Sequence, residues 1–240
     1  YKRIGVRGLV TNRGSRREKP YKANLSADIG SVIMLGDELG VSILTRPEAL
    51  DELFFIKAQY TSAPFVRGLK FYSLIEASNT SPRSILENRN VSGELIRSTV
   101  GGTLPLWRRE GFRVDLDIRF EHSDSQEEED GQILYEDRLT VGRAALNLRR
   151  RSPKSLLTAR FEASQGISLF SPSGGSRADG QTTFTKALVE ARYTRQFFNR
   201  VLLRLGVAGQ AADSSLLFSE EFGVGGGDYG RAYDFGEVLG

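Results

Sequence analysis

The segment FRVDLDIRFE, Phe112 to Glu121, limits the fold more than any other stretch of the chain. Phe112, Val114, Leu116, Ile118 and Phe120 occupy one phase, and Arg113, Asp115, Asp117, Arg119 and Glu121 occupy the other. A helix would spread both sets around its circumference. A strand separates them fully, because successive Cβ atoms point to opposite faces. The same period of two sets Ala23, Leu25, Ala27 and Ile29 on one side, then Phe54, Ile56, Ala58 and Tyr60. It continues through Ala187, Val189, Ala191 and Tyr193, and through Val201, Leu203, Leu205 and Val207. The periodicity predicts about eleven strands, near residues 2–12, 20–31, 37–46, 53–62, 68–78, 90–102, 112–122, 132–149, 154–164, 182–196 and 199–212. No stretch reads as a helix. NVSGELIRSTV is weakly patterned and is assigned from its neighbours, and the phase change near Gly142 in RLTVGRAALNL predicts a bulge.

Alternation of this kind suits a soluble sandwich as well as a barrel. Two features favour a barrel in lipid. The polar phase holds full charges of both signs, as a wet or ion-paired lumen would. The connections also alternate in length: short after even strands (SVIMLGD, SAPFVRG, LPLWRREG, RRSPK, QFFN) and mostly longer and more polar after odd ones (PEALDE, NTSPRSILEN, SDSQEEEDGQ, QGISLFSPSGGSRADG). Short turns on one side and long loops on the other is the habit of outer-membrane barrels, with the long loops outside the cell. Tyr60, Tyr72, Trp107, Phe112, Tyr193, Phe197 and Phe198, near strand ends, are expected in interfacial girdles. No apolar run approaches the roughly 20 residues of a transmembrane helix, but barrel strands need none.

The chemistry of active sites is thinly represented. The chain has no cysteine and a single histidine, His122, which removes thiolate chemistry and multi-histidine metal centres. The net charge of +3, from 33 basic and 30 acidic residues, gives little reason to expect nucleic acid. SDSQEEED, residues 123–130, lacks the ligand alternation and glycine of a calcium loop, so a solvated loop is expected. VGGGDYG has no following Lys-Ser/Thr and no helix, so it is not a phosphate loop. Asp115 and Asp117 lie about 7 Å apart on one face, but interleaved Arg113 and Arg119 favour ion pairing. His122 beside Ser123 and Asp124 is contiguity, not the convergence that a triad needs. No catalytic residue, metal or cofactor is expected.

Five phrases, in order, resemble the barrel part of two-partner secretion transporters, the haemolysin-activator and filamentous-haemagglutinin exporter family. LVTNRGS is similar to the family's first-strand phrase, with Thr11 where Asp is usual. Gly36, Asp37 and Leu39 match its GD-x-L turn, Tyr60, Pro64 and Gly68 its Y-x-x-P-x-x-x-G turn, and Pro105, Leu106 and Arg108 its YPLxR turn. GVGGGDYGRAYDFGEVLG resembles the Gly-rich loop between strands eleven and twelve of sixteen. Gly225, Gly226, Arg231, Tyr233, Gly236 and Glu237 match that loop, and Ala232 stands where Gly is usual, which costs backbone freedom at the tip.

The resemblance implies an all-β antiparallel transmembrane barrel in the bacterial outer membrane, with about eleven of sixteen strands in residues 1–240. Residues 213–240 would begin a loop that folds into the lumen, with Arg231 anchoring it to the wall. Periplasmic modules are expected upstream, and further strands downstream. Lys57, Arg113, Asp115, Asp117, Arg119, Glu190, Arg192 and Arg204 are expected to line the lumen. The implied function is a passive pore, a monomer bathed in outer-membrane lipid, that passes an unfolded secreted exoprotein from the periplasm to the surface. A barrel-assembly insertase of the same superfamily and a soluble β-sheet binding protein are the alternatives.

Overall fold

The computed structural model describes residues 3–12, 21–81, 90–198, 200–224 and 238–239. Eleven strands form one antiparallel sheet in chain order: β1 (Ile4–Thr11), β2 (Lys22–Gly30), β3 (Glu38–Thr45), β4 (Leu53–Thr61), β5 (Lys70–Thr80), β6 (Val91–Arg109), β7 (Phe112–Glu129), β8 (Gln132–Ser152), β9 (Ser155–Gly166), β10 (Thr185–Phe197) and β11 (Val201–Ala212). Each strand pairs with its neighbours in sequence, and β1 and β11 are the edges. Gly223–Val224 and Val238–Leu239 make a separate two-stranded pair, β12 and β13.

The register keeps the two phases of the sequence apart across the whole sheet. Lys57 lies opposite Glu76, Glu76 opposite Arg97, Arg119 opposite Arg143, Arg143 opposite Ser164 and Ser164 opposite Lys186. All therefore share one face. The other face holds Val100, Ile118, Phe161 and Val207. Burial is inverted relative to a water-soluble domain. Ile118 is 57 % exposed and Val207 63 %, whereas Asp117 and Arg143 are below a tenth. An apolar surface of this extent is unfavourable in water at about 25 cal/mol per Å² and marks contact with lipid. From Phe112 to Phe120 it spans about the nine to eleven residues that a tilted membrane strand needs.

Four expectations need correction. The acidic run is not a loop: β7 continues to Glu129 and turns at Asp130–Gly131 into β8. Pairing is tolerated because the carboxylates find partners, Arg138 with Asp124 (3.3 Å) and Glu136 (2.9 Å), and Tyr135 with Glu127 (2.7 Å). LPLWRREG is likewise mostly strand, since β6 runs to Arg109. No register shift occurs at Gly142; the irregularities fall between Pro105 and Trp107 and between Glu127 and Glu128. The phase changes in the sequence because Leu139 and Val141 sit on the charged face where other segments cover them. Finally, Tyr72 is not in a girdle. It lies on the charged face across Gly101, where a Cβ would come within 2.6 Å of its ring, and its hydroxyl donates to Asp117 at 3.0 Å.

The matched turn phrases prove to be joints between successive short turns. Asp37 is buried in the β2–β3 turn and accepts from the N–H groups of Val32 (2.6 Å), Ile33 (2.9 Å) and Met34 (2.8 Å) and from the Tyr60 hydroxyl (2.9 Å). Gly36 supplies the left-handed residue, with φ of 90°. Gly68, with φ of 80°, lies against Pro105 near the end of β6, where a Cβ would be 3.2 Å from the ring. Burial pushes the Asp37 carboxyl up, but the three backbone donors and Tyr60 outweigh it and hold it below its usual range. A depressed folded-state value contributes stability above the ordinary carboxyl range that is lost as pH falls through the folded value. The difference in thermal stability between wild type and Asp37→Asn is therefore expected to be constant near neutrality and to shrink on acidification below about pH 4. A difference that instead grows in acid contradicts this assignment.

Candidate functional site

The charged face carries a chain of alternating charge that crosses six strands, β4 to β9. Lys57 on β4 lies 3.6 Å from Glu76 on β5, and Glu76 lies 3.8 Å from Arg97 on β6. Arg97 reaches Glu121 on β7 at 3.6 Å, and Glu121 meets Arg143 on β8 at 3.1 Å. Arg119 ties in from one side, 3.3 Å from Asp117 and 3.0 Å from Glu162 on β9. Arg160 pairs with the same Glu162. A charge taken from water is costly unless it is paired, so a buried set of this kind must be largely self-satisfying.

The chain of charges ends on a residue from outside the strands. After β11 the chain folds back over the charged face through residues 213–222. Glu220, 5 % exposed, accepts a bidentate contact from Arg143 (2.5 and 3.0 Å) and a contact from Lys186 Nζ. Its backbone carbonyl accepts from Lys186 (3.0 Å) and from Gln210 Nε2 (3.1 Å). The planar guanidinium fork fixes both oxygens of one carboxylate, so the segment is held in position as well as neutralised.

An apolar plug sits beside this clasp. Leu216 and Leu217 pack with Leu139 and Val141 of β8 and with Phe184, the one hydrophobic cluster among the described residues. Leu217 lies in a cradle formed by Gly174 and Gly180, where added Cβ atoms would come within 2.9 and 2.6 Å of its Cδ2. These glycines belong to the β9–β10 connection, residues 167–184. That connection is bound to β8 through Asp137, which accepts from the N–H groups of Gly175 (2.7 Å) and Ser176 (2.9 Å). It is bound to the returning segment through Ser215 and Asp179 (2.8 Å) and through Arg177 and Glu221. Two connections from the long-loop end thus fold together onto the charged face.

The expected lining residues fall into groups. Arg113 and Asp115 pair at 2.5 Å, and with Glu190 and Arg192 they border a cleft of about 470 Å³ on the charged face. Asp117 and Arg119 pair with each other and join the charge chain, as does Lys57. Arg204, opposite Thr194 on β11, stands apart and makes no ion pair with a described residue. Gly225, Gly226, Arg231, Tyr233, Gly236 and Glu237 lie outside the described residues. His122 Nδ1 lies 2.9 Å from Thr140 Oγ1 with its ring against Phe170, a packed polar pair. No cluster of metal-ligating side chains occurs among the described residues. Glu220, Arg143 and Lys186 were not singled out by the sequence. The available signal was the acidic pair in LLFSEEF, placed after two leucines and outside any alternation.

Residues 1–238 match the family of haemolysin secretion/activation proteins ShlB/FhaC/HecB. The chain belongs to this family. Its fold is that of CdiB from Escherichia coli, with a TM-score of 0.81 at 18 % identity over 98 % of this chain and 45 % of that one. CdiB from Acinetobacter baumannii gives 0.69 at 16 % identity, over 98 % and 43 %. The chain therefore spans somewhat under half the length of these solved proteins. No curated protein matches it. As a member of the haemolysin secretion/activation family it is an outer-membrane β-barrel protein of the two-partner secretion class. The exposed apolar face is then the lipid-facing surface that such a barrel requires.

Proposed function

We propose that this chain forms part of an outer-membrane pore that passes an unfolded exoprotein of the adhesin, haemagglutinin or haemolysin type from the periplasm to the cell surface. The charged face lines the lumen, and the pore acts as a monomer. The observation that carries the reading is Glu220 in the grip of Arg143 and Lys186, which brings the segment leading into the Gly-rich loop onto the charged face. A lumen lined by alternating charge stays wet and offers a passing chain no large apolar surface to stick to. No nucleotide energy is available in the periplasm, so folding of the cargo outside supplies direction. Residues 213–240 begin the loop that occupies the lumen, and Arg231 anchors its tip against the wall.

The test is export of the cognate exoprotein, measured at the surface and in the medium, by full-length protein carrying Arg231→Ala. Export is expected to fall by about tenfold or more, the scale of losing one charge-assisted anchor, while heat-modifiable barrel insertion is retained. Normal export by an inserted variant overturns the role given to Arg231.

A further inference from the structure

We propose that the short-turn end of β6–β11 carries, on its apolar face, a binding site for anionic phospholipid headgroups of the periplasmic leaflet. The choice of leaflet rests on the orientation proposed above, with short turns toward the periplasm.

The register sets Arg109, Phe112, Arg150, Leu157 and Tyr193 in one row across that face. Arg195 follows Tyr193 by two residues and so shares its side. Arg109 and Arg150 flank Phe112 two strand spacings apart, about 10 Å. The next row inward is uncharged: Val114, Leu148, Ala159, Ala191 and Val207. The three arginines thus mark the polar end of the apolar band, the level at which phosphates of a bilayer lie.

Their partners set them apart from the arginines of the charged face. Arg97, Arg119, Arg143 and Arg160 each pair with a carboxylate. Arg109, Arg150 and Arg195 make no ion pair with any described residue. Two of them are held by aromatic rings instead. The Arg109 guanidinium lies 5.1 Å from the Trp107 ring centroid, and that of Arg195 lies 4.9 Å from Phe197. An arginine lying over an aromatic ring is oriented yet still has its N–H fork free for a phosphate. A lipid bound here places its phosphate between two neighbouring guanidinium groups, Arg109 and Arg150 or Arg150 and Arg195, and its acyl chains along Val114, Leu148 and Leu157. Arginines without a compensating carboxylate favour lipids of net negative charge over zwitterionic ones.

Trp107 is the single tryptophan of this chain and sits within the site. The full-length protein is reconstituted in vesicles of phosphatidylcholine and phosphatidylglycerol with one or the other brominated, and Trp107 quenching is taken as the difference from Trp107→Phe. At equal mole fraction, brominated phosphatidylglycerol is expected to compete about fivefold better. The preference is expected to disappear in Arg109→Gln/Arg150→Gln/Arg195→Gln and to weaken in Arg150→Gln alone, which serves if the triple variant does not insert. Equal quenching by the two lipids overturns the proposal, as does a preference that survives these substitutions. Absence of quenching by either lipid overturns it for a different reason, because Trp107 would then not face lipid and the orientation itself would fail.

Discussion

Glu220→Ala is expected to release the segment that follows β11 from the charged face. The substitution leaves Arg143 and Lys186, both buried, without the carboxylate between them. Breaking a buried pair from one side costs about 3–5 kcal/mol, because the remaining charges stay out of water. The effect is local: the strands keep their backbone ladders, and Arg143 keeps Glu121 at 3.1 Å. Hydrogen exchange of the full-length protein in detergent should therefore show residues 213–222 losing protection while β7, β8 and β10 retain theirs. Glu220→Gln keeps the shape and part of the hydrogen bonding and should fall between wild type and alanine. Unchanged protection in Glu220→Ala contradicts the clasp.

Leu217→Ala is expected to open the second fastening of the same segment. Leu217 is fully buried against Leu139, Val141, Leu216 and Phe184. Truncating a buried leucine costs about 2–5 kcal/mol, with the larger values where neighbours cannot move into the space. Gly174 and Gly180 have no side chains with which to refill it, so the loss should lie in the upper part of that range. Leu217→Met should be tolerated within about 1.5 kcal/mol. Limited proteolysis between residues 167 and 184 reads the result, because that connection rests on Leu217. The two fastenings share one segment, so Glu220→Ala/Leu217→Ala should lose less than the sum of the single variants. Strict additivity would mean that clasp and plug act on separate elements.

The strands were legible in the sequence because their cause is local. The alternation of Phe112–Glu121 states which side faces lipid, and the same rule placed every strand but β6, which was assigned from its neighbours; β6 and β7 run on past their expected ends to Arg109 and Glu129. It also separated the charged phase, including the Arg113–Asp115 and Asp117–Arg119 pairs. What escaped depends on contacts between distant segments. Glu220 acquires its role from Arg143, 77 residues away, and from Lys186, 34 residues away. Leu139 and Val141 suggested a bulge because a covered charged face looks, in sequence, like a change of phase. The acidic run read as a loop because like charges repel along the chain, whereas Arg138 and Tyr135 across the hairpin relieve that repulsion. The turn phrases were readable as resemblances, but their physical content, Asp37 joined to Tyr60 and Gly68 set on Pro105, needed the fold.

Water inside a membrane pore on the charged face and lipid on the apolar face are two expectations that one labelling experiment tests together. The absence of cysteine in this chain allows a direct measurement. Single cysteines are placed at adjacent positions of the full-length protein, Glu190→Cys against Val189→Cys on β10 and Arg204→Cys against Leu205→Cys on β11, and outer-membrane preparations are treated with a charged, water-soluble maleimide. Positions 190 and 204 should label readily, while 189 and 205 should label only after the membrane is dissolved and the barrel unfolded. Equal labelling of both phases in intact membranes, or labelling of the apolar phase alone, would contradict the account.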